Sequence, residues 1–316
     1  MINVLIVDDI HQVFMDRLSE AGINFSYFPA IGRTEALKML KDYEVLVVRS
    51  KFKIDEEVFS AADHLSIIAR AGAGMDNIDE QLAEEYGVRL INAPEGNRDA
   101  VGEHMIGMLL SMLNNLSAGD KQVRGGIWLR EQNRGVELGG KTVALIGYGN
   151  NGQAMARKLS GFGVNVIAYD KYKTGFSDQY AKEVSMEEVV RDADILSLHI
   201  PLTRETHRLV DAEYLLHFKK PIFFLNGARG EIVDIMAVLD AIDHGKILGA
   251  AFDVLPLERF PEASTVDWFE RLSNHEGVLL TPHVAGWSVE SYFKIAAVLA
   301  DKLISHAKSD MKLKND

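Results

Sequence analysis

Lys141–Asp170, KTVALIGYGNNGQAMARKLSGFGVNVIAYD, is the stretch whose reading decides the fold. The apolar run Thr142–Ile146 has the composition of a buried parallel strand. It leads into Gly147, Gly149 and Gly152, and a helical segment follows with Met155, Leu159 and Phe162 on one face. Gly147 permits the tight strand-to-helix turn, Gly149 lets the backbone approach a pyrophosphate, and Gly152 lets helix and strand pack closely. The helix N-terminus, at Asn150 and Asn151, offers unbonded N–H groups and a partial positive charge to phosphates. A second apolar run, Val164–Tyr169, ends in Asp170, about 23 residues after the first glycine, where a carboxylate can bond ribose hydroxyls. That acid favours NAD over NADP. Turn glycines in an ordinary α/β protein, with Asp170 a strand-end surface acid, are the bland alternative. It does not account for strand, spaced glycines, helix, strand and acid occurring together. Asn151 stands where such turns often carry an apolar residue, so different local packing is expected there.

Outward from this unit, apolar runs recur near 164–169, 194–198, 221–225, 247–252 and 278–280, separated by helical segments. Upstream, Asn3–Val7, Asn24–Phe28, Val45–Val48, Ser66–Ala69 and Val88–Ile91 show the same βαβ rhythm of a parallel sheet covered on both faces. Asp8-Asp9 follow the first strand where a dinucleotide turn would need glycines, so the first half is not the cofactor domain. Asn92–Asn97 reads as a turn-rich junction. The segment Asp99–Leu116 reads as a helix apolar over more than one stripe, which suggests a subunit interface. Residues 120–140 read as an irregular arm, Leu257–Trp268 as a surface excursion, and Val289–Lys308 as a last helix that folds back on the first domain.

With 316 residues, 47% hydrophobic, the chain is long enough for two domains. A formal net charge of -12 argues against a nucleic-acid partner, which calls for a basic stripe. The absence of cysteine excludes disulfides and thiolate catalysis. The histidines lack HExxH spacing, so no metal is expected. MINVLIVDDI is a short strand rather than a leader, and no run reaches membrane-spanning length, which points to a cytoplasmic protein without a membrane partner.

Ligands of parallel sheets bind beyond the carboxyl ends of the strands. Arg49-Ser50 lies there, as does Arg70 with the turn through Ala73 and Gly74, whose N–H groups could form a nest for a carboxylate. Solvated strand-end charges and a plain turn remain the alternative for these residues. In the second half, Arg229, Asp253, Glu258 and His283 follow successive strands. A guanidinium can fork onto a carboxylate, an imidazole can exchange a proton near neutral pH, and a carboxylate on its other nitrogen would orient the ring. Of the ten histidines, His104, His199 and His207 lie near loops or packed segments but in no comparable motif.

RAGAGMDNID (70–79), NAPEGN (92–97), GGKTVALIGYGNNG (139–152), NGARGEIVD (226–234), DVLPLE (253–258) and TPHVAG (281–286), in this order, strongly resemble the D-isomer-specific 2-hydroxyacid dehydrogenases over nearly the whole chain. The resemblance implies an α/β protein of two doubly wound parallel-sheet domains. An NAD-binding Rossmann domain (98–286) would be inserted into a flavodoxin-like substrate domain (1–97 plus 287–316), with a homodimer formed through the former. It implies that Arg229 binds the carboxylate and carbonyl of a 2-oxo acid and that His283 protonates the oxygen as hydride arrives. Glu258 would then hold His283, and Asp253 would contact the nicotinamide carboxamide.

Arg49 and Arg70 match positions that grip a phosphate, so the pattern is most like the branch acting on 3-phosphoglycerate. The chain's end at residue 316 suggests the short form of that branch, without a regulatory domain. Glyoxylate, hydroxypyruvate and D-lactate are the alternative substrates, and an NAD(H)-sensing corepressor-like protein the alternative outside enzymes. Two departures stand out: Glu258 is followed by Arg259 where the family often has proline, and Trp287 stands where many members of the phosphoglycerate branch carry a small residue.

Overall fold

A computed structural model describes residues 2–313 of the chain. Two compact units emerge: Met1–Asn97 together with Trp287–Asp316, and Arg98–Gly286.

In the first unit, β1 (Asn3–Ile6), β2 (Asn24–Tyr27), β3 (Val45–Val48), β4 (Ile67–Arg70) and β5 (Arg89–Asn92) form a wholly parallel sheet in the order β2-β1-β3-β4-β5. This is the flavodoxin-like order. Its central strands are continuous apolar runs because both faces are covered. Val4, Ile6, Val45 and Val47 face one core, with Phe14 and Leu18, while Leu5, Leu46 and Val48 face the other, with Leu40 and Phe59. The last helix, Val289–Leu313, closes the first of these cores through Ile295, Leu299 and Leu303, which is the expected fold-back. Leu299 is fully buried there, so its truncation to alanine should cost ~2–5 kcal/mol.

The second unit holds β6 (Thr142–Ile146), β7 (Asn165–Tyr169), β8 (Lys182–Glu183), β9 (Ile195–Leu198), β10 (Ile222–Asn226), β11 (Ile247–Phe252) and β12 (Val278–Leu280). All are parallel, in the order β12-β11-β10-β9-β6-β7-β8. Counted from β6, this is the dinucleotide-binding order 3-2-1-4-5-6 with one further strand, and the order reverses between β6 and β9. Along β6, Val143 and Leu145 face one core and Ala144 and Ile146 the other.

Three expectations need correction. The long helix runs Pro94–Leu113 rather than from Asp99, because Pro94 sits at its first position, where a missing N–H costs nothing, and so opens the helix inside the supposed junction. Part of the supposed arm is a second helix, Leu116–Arg124, which buries no residue and so leaves little apolar signature. Within the supposed excursion, Glu262–Thr265 forms a 3₁₀ turn with Ala263 buried, and the helix Asp267–Asn274 follows. The apolar residues of the helix Pro94–Leu113 from Val101 to Leu113 are largely covered, with Met105, Met108 and Leu109 in the core under β6.

Candidate active site

The turn after β6 is built for close approach. Gly147 has φ of +94°, which side-chain-bearing residues rarely adopt, and a Cβ there would lie 2.6 Å from the carbonyl oxygen of His199. A Cβ on Gly152 would strike the carbonyl oxygen of Gly147, so helix and turn could not stay in contact. At Gly149 a Cβ would meet nothing within 4 Å, so the outer side of the turn is open. The helix Asn150–Leu159 begins behind Gly149 with no side chain capping it, which leaves its first N–H groups for an anion. Asn150 and Asn151 are half-buried, and the Oδ1 of Asn151 has no hydrogen-bond partner among the described residues.

Asp170, just past β7, accepts from the backbone N–H groups of Tyr148 (2.9 Å) and Tyr172 (3.0 Å). Its position is thereby tied to the turn, and its remaining lone pairs can accept ribose hydroxyls. Tyr148 is buried, with its hydroxyl donating to Asp178 at 3.0 Å and its ring stacked on Phe176. Burial first, then the Asp178 hydrogen bond, pushes its pKa up. His199 lies beneath the turn with Nε2 3.0 Å from the Ser197 hydroxyl, and burial pushes its pKa down to about 4, so this imidazole is neutral. An open glycine cradle, an uncapped helix start and an anchored acid together fit a dinucleotide.

Three further loops lie at the carboxyl ends of adjacent strands β10, β11 and β12. After β10, the buried Asn226 accepts from the Ala228 N–H (3.0 Å) and donates to the Arg229 carbonyl (2.9 Å), fixing the turn that presents Arg229. A Cβ on Gly230 would collide with the Leu255 carbonyl group, so the glycine lets the loop after β11 lie on the loop after β10.

Asp253 is 2% exposed and accepts from the Thr281 hydroxyl (2.6 Å) and from the N–H groups of Val284 (3.0 Å) and Ala285 (2.9 Å). These bonds hold the loop that carries His283. They occupy three of the carboxylate's four lone-pair positions and leave Oδ2 one more to offer. His283 itself has φ of +52°, a conformation that costs a non-glycine residue of order 1–3 kcal/mol and that its bond to the Asp253 carbonyl (2.7 Å) helps to hold.

The Nδ1 of His283 lies 2.7 Å from Glu258 Oε2, while Glu258 Oε1 accepts from the Leu255 N–H. The bond to Glu258 raises the His283 pKa against the opposing effects of burial and the nearby Arg229 charge. His104, set aside in the sequence, lies 3.0 Å from the Thr281 hydroxyl and 3.5 Å from Asp253. Nothing in its own motif signals this, because the contact joins a helix to a loop 177 positions away.

In the first unit, Arg49 and Ser50 follow β3. Their N–H groups and that of Lys51 all donate to Asp8 Oδ2, at 2.8, 3.0 and 3.0 Å. The Arg49 guanidinium lies 4.5 Å from the centroid of the Trp287 ring. Arg70, at the end of β4, lays its guanidinium across Gly72, where a side chain would displace it. Ala73 and Gly74 are half-buried in the turn that follows, braced by Asn92 Nδ2 donating to the Ala73 carbonyl (2.7 Å).

Residues 106–285 match the family model described as the NAD-binding domain of the D-isomer-specific 2-hydroxyacid dehydrogenases. The chain belongs to that family, and this segment is its NAD-binding domain. Over 307 residues it is 33% identical to D-3-phosphoglycerate dehydrogenase of Archaeoglobus fulgidus, covering 96% of this chain and 57% of the relative. It is 32% identical over 271 residues to hydroxypyruvate reductase of Thermotoga maritima, covering 86% and 87% of the two chains. A glyoxylate reductase structure from Paecilomyes thermophila superposes with a TM-score of 0.85 at 25% identity, covering 96% of this chain and 94% of that one. The chain thus spans little more than half the length of the phosphoglycerate dehydrogenase it matches. Among the described residues, no helix is long and apolar enough to cross a membrane.

Proposed function

We propose that the chain interconverts a D-2-hydroxy acid and its 2-oxo acid with NAD, with Arg229, Glu258 and His283 as the catalytic set. The observation that carries this reading is the 2.7 Å contact between His283 and Glu258, which ties up Nδ1 and leaves Nε2 to face a substrate oxygen. Bound NADH would supply the hydride that reduces the oxo carbon. The Arg229 fork would bind the carboxylate and polarise the carbonyl. Charged His283 would donate its Nε2 proton to the developing alkoxide, and Glu258 stabilises that charged form. In the oxidative direction neutral His283 takes the hydroxyl proton. Gly147, Gly149, Asn150, Asn151 and Gly152 would hold the pyrophosphate and Asp170 the ribose, with Asp253 anchoring the His283 loop and meeting the nicotinamide carboxamide.

The substrate domain of this reading is 1–97 plus 287–316, and 3-phosphohydroxypyruvate is its preferred 2-oxo acid. Arg49 and Arg70 would meet the phosphate dianion, and Ser50, Ala73 and Gly74 would take the remaining polar contacts. The similarity to a hydroxypyruvate reductase over most of both chains supports a second reading, in which the acid carries no phosphate. Steady-state NADH oxidation with 3-phosphohydroxypyruvate, hydroxypyruvate, glyoxylate and pyruvate separates the two. A kcat/KM preference for the phosphorylated acid that collapses in Arg49→Ala upholds the first, and equal use of the others replaces it with the second. Absence of turnover on every acid, with NADH still bound, would leave only the nucleotide-sensing role. A cytoplasmic homodimer through the NAD-binding unit completes the proposal. Its apolar surface would come from exposed Leu116, Val123, Ile127 and Trp128 rather than from the covered helix Pro94–Leu113.

A further inference from the structure

Trp287 follows the His283 loop in the sequence, and its surroundings give it a task. The Arg49 guanidinium lies over its indole face at 4.5 Å and forms no hydrogen bond or ion pair among the described residues. Stacking uses only the π face of a guanidinium, so all of its in-plane N–H donors remain available for a planar or tetrahedral oxyanion. The indole is itself held. Its ring meets Tyr292 edge-on at 5.3 Å, and the Tyr292 hydroxyl donates to Asp9 Oδ2 at 2.7 Å. The backbone end of Arg49 is fixed independently by Asp8. A long cationic side chain normally loses rotamer freedom when it binds an anion. Here its backbone and its ring face are constrained before any anion arrives.

We propose that Trp287 is a positioning residue that holds Arg49 flat, with its donors free, for a dianionic group on the substrate. The inference rests on the phosphorylated-substrate reading. It predicts that the aromatic face, rather than bulk, matters. Trp287→Ala should raise KM for 3-phosphohydroxypyruvate about tenfold more than KM for hydroxypyruvate, with the larger change in KM rather than kcat. Trp287→Phe should retain most of the discrimination. In an Arg49→Ala background, Trp287→Ala should change it no further, because the residue acts through Arg49.

Equal KM changes for both acids, or a full Trp287→Ala effect without Arg49, would overturn the assignment. A second readout separates this failure from that of the substrate reading. Inorganic phosphate should perturb the fluorescence component that Trp287→Phe removes, and Arg49→Ala should abolish the perturbation. If the wild type does not prefer the phosphorylated acid but phosphate still perturbs Trp287 through Arg49, the substrate reading falls and the pairing stands. If phosphate has no such effect either, both fall.

Discussion

The two sheets solve one electrostatic problem in opposite ways. Each is parallel and doubly wound, and each gathers backbone N–H groups at the carboxyl ends of its strands near the point where strand order reverses. In the first unit the residue after β1 and Val7 is Asp8, whose carboxylate fills a nest formed by the N–H groups of Arg49, Ser50 and Lys51. In the second, β6 runs directly into Gly147, and among the described residues no side-chain cap closes the helix behind it. One unit supplies its own anion and becomes a rigid platform for cations. The other leaves the position open to an anion from outside. The topology makes the site in both cases, and one or two residues decide who occupies it.

This contrast can be broken from either side. The largest expected effect is at the chemical end of the open sheet: His283→Ala should lower kcat by about a thousandfold while changing NADH affinity far less. Near-normal turnover would remove His283 from the mechanism. Gly152→Ala forces the helix away from the Gly147 carbonyl, and NADH affinity measured by fluorescence titration should fall about tenfold to a hundredfold. An unchanged dissociation constant would mean that close approach is not what the glycine provides.

In the closed sheet, Asp8→Ala leaves three N–H groups without their acceptor and should cost ~1–3 kcal/mol in urea unfolding, with NADH binding retained. A variant as stable as the parent would show that the nest contributes nothing. The smallest effect concerns pH. Because Glu258 raises the His283 pKa, the reductive step proposed above would need a proton that is held below that raised value and lost as pH climbs through it. Reductive kcat/KM should therefore fall on the alkaline side. Glu258→Gln should move the fall to lower pH, and the acid limb of the oxidative profile should move to lower pH with it. An alkaline limb that stays in place would assign it to another group.

Much of this was legible in the sequence because buried parallel strands are continuous apolar runs. The inner strands announce themselves in this way, whereas the edge strands β2 and β5 are mixed and β8 is the two polar edge residues Lys182–Glu183. The glycine turn was legible because its steric demands are local. Helix boundaries were less so: Pro94 opens a helix in a stretch whose glycine and asparagines suggest turns, and the solvent-facing helix Leu116–Arg124 has no core to imprint a pattern. Within the site, the pairing of Glu258 with His283 came with the family resemblance, whereas partnerships that no motif carries were not legible. Asp8 registered only as a missing glycine, His104 as an unplaced histidine and Trp287 as an oddity. Each acquires a partner only once loops far apart in the chain are brought together.

The closing of the first core by Val289–Leu313 bears on how the protein is made. During synthesis Arg98–Gly286 emerges as one uninterrupted unit and has all its strands before Val289–Leu313 is made. The first unit starts earlier but lacks one wall of its core until the last helix leaves the ribosome, so Phe14, Leu18 and the β1 face stay uncovered for the whole passage of the second. Met1–Asn97 is thus made before Arg98–Gly286 yet can complete its fold only after it.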